Sequence, residues 1–258
     1  MSGLENLRGT WESLAKRDAL SAILTDDNKT DGKWDLAEFL ATGEAEIDTV
    51  LKHLEKIDVA PDFKGAALDF GCGVGRLTQA IAGRFQATVG VDISAEMIRK
   101  AESLNQHPRC RYVVNTSATL PFGDGEFAFI YCNIVLQHVP RLYATNYLRE
   151  FVRVLADGGV LVFGVQDSFA APDLSSKLVR ARHVLHLRSR IRRIFGSTAG
   201  DMQMHCLPER IVRDALGAAR IADIQLTNTA ARDFNGKLVY LRQAPQTGYV
   251  GKQYCVVK

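Results

Sequence analysis

An apolar strand that runs into a glycine-rich turn and then a helix constrains this chain more than any other feature. The segment reads LDFGCGVGR and covers residues 68–76. Glycine tolerates positive φ angles and lets the backbone approach a ligand closely, as in the nucleotide-binding turns of doubly wound α/β domains. The alternative is that these glycines only allow the helix to pack tightly on the strand.

The glycine pattern differs from the dinucleotide-binding fingerprint in two respects. The spacing is G-x-G-x-G, and the acidic residue Asp69 stands two positions before the first glycine, Gly71. A carboxylate aimed into this turn would repel a pyrophosphate, but it would attract the sulfonium and ammonium groups of S-adenosylmethionine. The turn therefore favours adenosylmethionine over NAD.

Short apolar runs alternate with amphipathic stretches downstream of residue 65, which is typical of buried parallel strands joined by helices. The predicted strands are AALDF (66–70), TVGVDI (88–93), RYVVN (111–115), FAFIYCNIV (127–135) and GVLVFGV (159–165). The predicted helices are GRLTQAIAGRF (75–85), SAEMIRKAESLN (94–105) and YLREFVRVLADGG (147–159). Ser94 is the expected N-cap of the second helix, and the glycines of ADGG are expected to end the third.

Further elements are predicted on both sides of this alternation. The apolar residues of EIDTVLKHLEKI (46–57) recur at helical spacing, so residues 1–60 are interpreted as a helical N-terminal extension. The C-terminal part is predicted to contain a helix, LPERIVRDALGAAR (207–220), and two strands, IADIQLTN (221–228) and QYCVVK (253–258). We therefore expect one α/β domain over 61–258, with 167–206 as an insertion on the substrate side.

Aromatic residues of the N-terminal extension have two alternative roles. Trp11, Trp34 and Phe39 are expected either to fold over a cofactor as a cap or to serve in ordinary packing.

Asp92 comes at the end of the second predicted strand, 17 residues beyond Gly75. In doubly wound domains a carboxylate at this place accepts hydrogen bonds from the ribose hydroxyls of the cofactor. The alternative is an acidic residue that stabilises the start of the helix beginning near Ser94.

Three segments together resemble the successive motifs of class I S-adenosylmethionine-dependent methyltransferases. They are LDFGCGVGRLTQAIA (68–82), VGVDIS (89–94) and LPFGDGEFAFIYCNIVLQHV (120–139). The resemblance covers about residues 62–166 and is similar to the broad bacterial group that methylates small molecules, quinones, sugars and lipids. It implies a Rossmann-like, doubly wound, mostly parallel sheet of seven strands that ends in an antiparallel hairpin.

The resemblance also implies a set of cofactor-binding residues. The methionine end would contact Asp69, Gly71, Cys72, Gly73 and Gly75, and the ribose would contact Asp92 and Ile93. Ser117 and Ala118 would border the adenine. The sequence departs from the family here, because NTSA (115–118) lacks the aspartate that many relatives have near this position.

The segment after the fourth predicted strand contains the candidate residues for methyl transfer. Asn133, Gln137 and His138 lie there, at the end of the sheet where doubly wound domains bind ligands. We predict that Asn133 contacts the cofactor, that Gln137 contacts the substrate and that His138 is a general base. The alternative for His138 is a bond to the backbone or a role in shaping the pocket. His205 is a further predicted substrate contact, with a core or loop role as its alternative.

One basic stretch stands out in an otherwise mildly acidic chain. Between Asp173 and Asp201 there are seven lysine or arginine residues and no acidic residue. The partly helical spacing of the apolar residues predicts a basic amphipathic helix over 177–195, inserted after the fifth strand as a lid or docking surface. An anionic small molecule or peripheral contact with an anionic membrane would suit it. Only Phe195 interleaves the arginines, which argues against nucleic acid. The alternative is a solvated helix.

Composition sets wider limits. The chain has 258 residues, of which 47% are apolar and 24% charged, as expected for a folded globular protein. No apolar stretch reaches the roughly 18 residues needed to cross a bilayer, and the polar start lacks a signal-peptide core, so a cytoplasmic location is expected. The cysteines show no zinc-ligand spacing, so we expect reduced thiols and no metal site.

These observations predict an adenosylmethionine-dependent enzyme that methylates a hydroxyl of a small molecule, saccharide or lipid. Transfer to nitrogen, sulfur or carbon is the alternative within the same class. A non-catalytic adenosylmethionine-binding protein and an NAD-dependent oxidoreductase are the alternatives outside it. The intact glycines and Asp92 argue against a degenerate site, and Asp69 argues against NAD.

Overall fold

The computed structural model describes residues 3–24, 29, 32–170, 204–231 and 234–258. The helices in these ranges are α1 (Gly3–Ile23, broken at Asp18), α2 (Leu36–Lys56), α3 (Arg76–Ala82), α4 (Ala95–Leu104), α5 (Arg141–Val154) and α6 (Glu209–Leu216). The strands are β1 (Ala66–Phe70), β2 (Ala87–Asp92), β3 (Cys110–Val114), β4 (Phe127–Cys132), β5 (Leu155–Ala170), β6 (Arg220–Thr227), β7 (Tyr240–Leu241) and β8 (Gly248–Val257). The predicted basic helix over 177–195 lies outside the described residues.

The strands form one sheet in the order β3-β2-β1-β4-β5-β8-β6-β7. Strands β1 to β5 are parallel, whereas β8 is antiparallel to both β5 and β6. The predicted doubly wound fold with antiparallel C-terminal strands is confirmed. The sheet has eight strands instead of seven. The additional strand, β7, pairs only Tyr240 and Leu241 with β6 and is too short to give a sequence pattern.

The third predicted helix was placed wrongly. It was expected over 147–159, but α5 begins at Arg141 and ends at Val154. Pro140 precedes the helix with φ −54°, a value that suits a helix start, and Leu155 has extended backbone that pairs with Phe127 of β4. The residues of ADGG therefore belong to β5.

Apolar side chains cover both faces of the sheet. Along β4, Ile130 and Cys132 pack in a cluster with α5 and α6, whereas Phe129 and Tyr131 pack in another with α2 and α3. This alternation follows from the two-residue period of a strand. No helix among the described residues is long and apolar enough to span a membrane.

The N-terminal helices pack beside the glycine turn. Trp34 and Phe39 lie in a third apolar cluster that also contains Val74 of the turn and Met97 of α4. These two aromatic residues therefore serve in packing, whereas Trp11 lines the cavity described below.

Candidate active site

A cavity of about 410 Å³ opens at the carboxyl ends of the central parallel strands. Phe70 at the end of β1, Asp92 at the end of β2 and Asn133 after β4 all line it. This is the edge at which doubly wound sheets bind their ligands, and the volume is within the range of small-molecule sites.

The glycine turn forms part of the cavity wall and requires glycine. Gly71, Gly73 and Gly75 have φ angles of 75°, 53° and 86°. A Cβ atom on Gly71 would lie 2.3 Å from a methyl carbon of Val135, and one on Gly75 would lie 2.4 Å from the Tyr112 hydroxyl. Of the residues predicted to contact the methionine end of the cofactor, Gly71, Cys72 and Gly73 line the cavity. Gly75 packs against Tyr112.

Asp69 does not line the cavity, contrary to the expectation from the sequence. Its carboxyl is 1% exposed and accepts a hydrogen bond of 2.6 Å from the Thr78 hydroxyl of α3. The neighbouring Phe70 faces the cavity instead, since successive strand residues point to opposite faces. Burial raises the pKa of Asp69 to about 7, although Thr78 and the Arg76 charge oppose that rise.

Asp92 lines the cavity together with Ile93. One carboxylate oxygen accepts from the Gly73 N–H at 2.9 Å, and the other accepts from the Ser94 N–H at 2.8 Å. Burial raises the pKa of Asp92 to about 6, and these backbone hydrogen bonds partly oppose the rise. Each oxygen can accept a further hydrogen bond, so both roles considered for Asp92 are compatible with its geometry.

Ser94 caps α4 as predicted. Its hydroxyl oxygen accepts a hydrogen bond of 3.1 Å from the Met97 N–H.

The loop after β3 presents Asn115 to the cavity, whereas Ser117 and Ala118 do not line it. The Asn115 amide folds the loop, because it donates to the carbonyl oxygens of Ser117 and Thr119 and accepts from the Ser117 N–H. The predicted adenine contacts of Ser117 and Ala118 stay predictions, and the structure adds Asn115 as a residue of this loop that reaches the cavity. An asparagine directly after a strand is a common turn-forming residue, and this signal points to Asn115.

Gln137 and His138 line the cavity in a single helical turn, Leu136–His138. The Gln166 amide donates to Gln137 Oε1 at 2.7 Å, and Gln137 Nε2 lies 3.2 Å from His138 Nε2. With the Gln137 amide as donor, His138 Nε2 is the acceptor and its ring proton lies on Nδ1. The Trp11 ring packs edge-on to His138 at a centroid distance of 5.7 Å.

His205 contacts this turn through its backbone. Its N–H donates to the Gln137 carbonyl oxygen at 2.7 Å, and the preceding residue, Met204, lines the cavity. The structure thus places His205 beside the His138 turn, and its contact with a substrate stays a prediction.

A buried ion pair next to the cavity was missed from the sequence. The Arg76 guanidinium donates to the Glu46 carboxylate at 2.8 Å, and the two side chains are 3% and 0% exposed. The other Glu46 oxygen accepts from the Tyr131 hydroxyl at 2.8 Å and from Asn133 Nδ2 at 2.7 Å. The available signal was that Glu46 lies on the apolar face of α2, four residues before buried Val50.

Ile134 adds local strain to the cavity wall. Its φ angle of 60° lies in the left-handed region, which a β-branched residue rarely adopts. Such strain is frequent at functional sites.

The comparison with known families agrees with this geometry. A family model described as "Methyltransferase domain" matches residues 68–163, which include the glycine turn, Asp92 and the His138 turn. Residues 68–163 of the chain are therefore similar to a methyltransferase domain. The domain family uses S-adenosylmethionine as its cofactor.

Individual relatives of the methyltransferase domain are similar over part of their length. The uncharacterized protein MJ1123 of Methanocaldococcus jannaschii is 32% identical over 127 residues, 48% of this chain and 53% of that protein. Trans-aconitate 2-methyltransferase of Methylobacterium radiotolerans is 37% identical over 117 residues, 45% of this chain and 42% of that enzyme. The chain thus spans about half the length of the curated relatives it matches.

A solved structure resembles the methyltransferase domain and its flanking elements. The magnesium protoporphyrin IX methyltransferase of Synechocystis PCC 6803, crystallised with bound S-adenosylmethionine, has a TM-score of 0.59 and 19% identity. The match covers 100% of this chain and 98% of that chain. At this identity the likeness shows the fold alone.

Proposed function

We propose that this chain binds S-adenosylmethionine in the cavity and transfers its methyl group to a small-molecule, saccharide or lipid acceptor, with a hydroxyl oxygen as the nucleophile. The observation that carries the proposal is the composition of one cavity wall. It combines the glycine turn and Asp92 with Gln137 and His138.

Three features fit this cofactor. Gly71, Cys72 and Gly73 line the cavity, so the backbone of the turn can lie directly against a ligand. Asp92 retains acceptor capacity for the ribose hydroxyls. Asn115 also lines the cavity, and its Oδ1, which accepts from the Ser117 N–H, can accept one further hydrogen bond from the adenine amino group. When bound, the cofactor supplies a methyl group on a reactive sulfonium, so the protein mainly has to position it against the acceptor.

His138 is the proposed general base. Its ring lines the cavity, and Trp11 and Gln137 restrain it from two sides. When an acceptor hydroxyl replaces the Gln137 amide at His138 Nε2, the neutral imidazole can take its proton as the new bond to the methyl carbon forms. This role favours transfer to oxygen over transfer to an atom that has no proton to lose.

The remaining wall favours an acceptor with an apolar body. Trp11, Val139, Met204, Phe234 and Tyr249 contribute to it. Among the described lining residues, the formally charged ones are Arg76 and Asp92, and both lie beside the glycine turn. An anionic acceptor would therefore require groups from outside the described ranges, such as the basic stretch 177–195.

Calorimetric titration with S-adenosylmethionine and with NAD tests the first half of the proposal. We expect binding of the former only. A screen for S-adenosylhomocysteine release over alcohols, phenols, sugars, quinones and carboxylic acids then tests the second half. Release with a hydroxyl compound supports the proposal, whereas binding without turnover on any class would favour the non-catalytic alternative. Absence of adenosylmethionine binding would overturn the proposal.

A further inference from the structure

Gln166 is a buried polar residue at the end of an apolar strand segment. It follows GVLVFGV (159–165) in β5 and is 1% exposed. A buried amide requires hydrogen-bond partners, so the partners of Gln166 indicate what the residue does. Gln166 does not line the cavity, so it can act on the cavity only through another residue.

Two glutamines and His138 form one chain of side-chain contacts. Gln166 Nε2 donates to Gln137 Oε1 at 2.7 Å, and Gln137 Nε2 lies 3.2 Å from His138 Nε2. Because an amide carries its acceptor and its donor on different arms, the bond from Gln166 turns the NH2 group of Gln137 toward the ring. A ring nitrogen that accepts from this group carries no proton, so the chain selects the Nδ1–H tautomer of His138.

The main chain holds both glutamines in place independently of their side chains. The Leu207 N–H donates to the Gln166 carbonyl oxygen at 2.7 Å, and the His205 N–H donates to the Gln137 carbonyl oxygen at 2.7 Å. Both donors belong to residues 205–207. The spacing of the two glutamines is therefore set by backbone hydrogen bonds, and their side chains remain available to orient the imidazole.

β5 becomes irregular directly after Gln166. Gln166 pairs with Gly251 of β8 and Ser168 pairs with Val250, so Asp167 is an extra residue in β5. Such a bulge redirects side chains, and bulges are frequent next to active sites. The regular strand thus ends at the residue whose amide contacts the Gln137 turn.

We infer that Gln166 is a positioning residue for His138, which acts through Gln137 and keeps His138 Nε2 unprotonated. The inference rests on the proposed function, in which this nitrogen receives the proton of the acceptor hydroxyl. The NH2 group of Gln137 occupies the position at Nε2 until the hydroxyl replaces it. Without this chain the ring is free to adopt the Nε2–H form, which neutral histidine prefers in water and which cannot accept a proton at Nε2.

Nitrogen NMR of protein with isotope-labelled histidine measures the tautomer without any ligand. At about pH 8.5 a histidine of ordinary pKa is neutral, and the His138 signals are those missing from His138→Ala. We expect the proton on Nδ1 in the unaltered chain. If both amides were turned over, the proton would lie on Nε2, so the tautomer also reports the direction of the chain.

Gln166→Met keeps the length of the side chain but removes its donor, so the Nε2–H form of His138 should gain population. Gln225→Met is the matched control, because the Gln225 amide donates to Asp223 on β6 and does not line the cavity. The control should leave the tautomer of His138 unchanged. Circular dichroism checks that the variants are folded, and Gln166→Leu is the second variant at this position.

Kinetics of methyl transfer give the functional half of the test. Gln166→Met should lower kcat by about tenfold, because only the fraction of molecules with an unprotonated Nε2 can accept the proton. Adenosylmethionine affinity should change by less than about threefold, since Gln166 acts on the base. In a His138→Ala background the same change should have no further effect on kcat, as expected for two residues that act as one unit.

Three results would overturn the inference. They are an Nε2–H tautomer in the unaltered chain, an unchanged tautomer in the folded Gln166 variants, and an equal loss of kcat from Gln166→Met with and without His138. The last result would make Gln166 a purely structural residue. If the unaltered chain methylates no acceptor, the proposed function fails, whereas the NMR measurement still decides whether Gln166 sets the tautomer of His138.

Discussion

The Thr78 hydroxyl donates a hydrogen bond of 2.6 Å to the Asp69 carboxyl inside the protein, behind the glycine turn. Burial is the largest influence on this carboxyl and raises its pKa to about 7, against the lowering effects of Thr78 and Arg76. Asp69 therefore exchanges a proton near neutral pH, well above the range of an exposed aspartate.

This pKa predicts a stability that falls as pH rises. The folded protein holds the Asp69 proton up to about pH 7, whereas the unfolded chain loses it near the ordinary aspartate pKa of 3.8. Unfolding between these values releases a proton, so a higher pH favours the unfolded state. Asp69 should lower the free energy of unfolding by about 3 kcal/mol between pH 5 and pH 8. Urea unfolding at the two pH values measures this difference.

Asp69→Asn is the matched control, since its amide oxygen can still accept from Thr78 but does not ionise. The variant should lose most of the pH-dependent difference that the unaltered chain shows. Asp92, whose pKa is raised to about 6, contributes to the pH dependence of the unfolding free energy in both proteins. Its contribution therefore cancels when the two proteins are compared. The same pH dependence of the unfolding free energy in both proteins would show that Asp69 is ionised in the folded protein from pH 5 to pH 8.

Gly71→Ala is predicted to destabilise the protein by about 2 to 4 kcal/mol. A φ of 75° costs an L-residue about 1–2 kcal/mol, and the new Cβ would collide with Val135. Combining the change with Val135→Ala should remove the two closest contacts, leaving the Cβ of residue 135 at 3.0 Å and the cost of the φ angle. Gly9→Ala is the control, because Gly9 lies in α1 with nothing within 4 Å of a Cβ atom. A destabilisation of Gly71→Ala no larger than that of the control would contradict this account.

Much of the central fold could be predicted because buried parallel strands give continuous apolar runs. β1 was predicted over the same residues that the structure shows, and β6 differed by one residue at each end. The Glu46 contacts could not be predicted, since they join α2 to Arg76 and Asn133 through tertiary packing. The burial of Asp69 behind the turn could not be predicted either, because an acidic residue before a glycine turn does not reveal which face of the strand meets the cavity.

Adenosylmethionine affinity is predicted to increase with pH through the titration of Asp92. The ionised carboxylate accepts hydrogen bonds through both oxygens, whereas the protonated form has a donor on one of them. Ligand binding to the ribose contact therefore favours proton release from a group whose pKa is about 6. We expect about tenfold weaker binding at pH 5 than at pH 7.5, measured by calorimetry. Asp92→Asn should bind more weakly and lose the step near pH 6, and an identical pH profile in both proteins would refute the ribose assignment.

His138→Ala is predicted to reduce kcat by about 100-fold or more if the acceptor is a hydroxyl, since this is the usual contribution of a general base. Adenosylmethionine affinity should change by less than about threefold, because the proposed role of His138 is toward the acceptor hydroxyl and not toward the cofactor. Trp11→Leu is the companion variant, since it removes the ring packed 5.7 Å from His138 but leaves the imidazole in place.

The pH dependence of kcat distinguishes a base from a residue that only shapes the cavity. The unaltered protein and Trp11→Leu should both lose activity as His138 becomes protonated, whereas His138→Ala should lack that acidic limb. A low but equally pH-dependent kcat in His138→Ala would make the residue a positioning element. Full turnover in that variant would mean that the acceptor is already nucleophilic without a base. Alignment of the acceptor with the methyl group would then be sufficient for transfer.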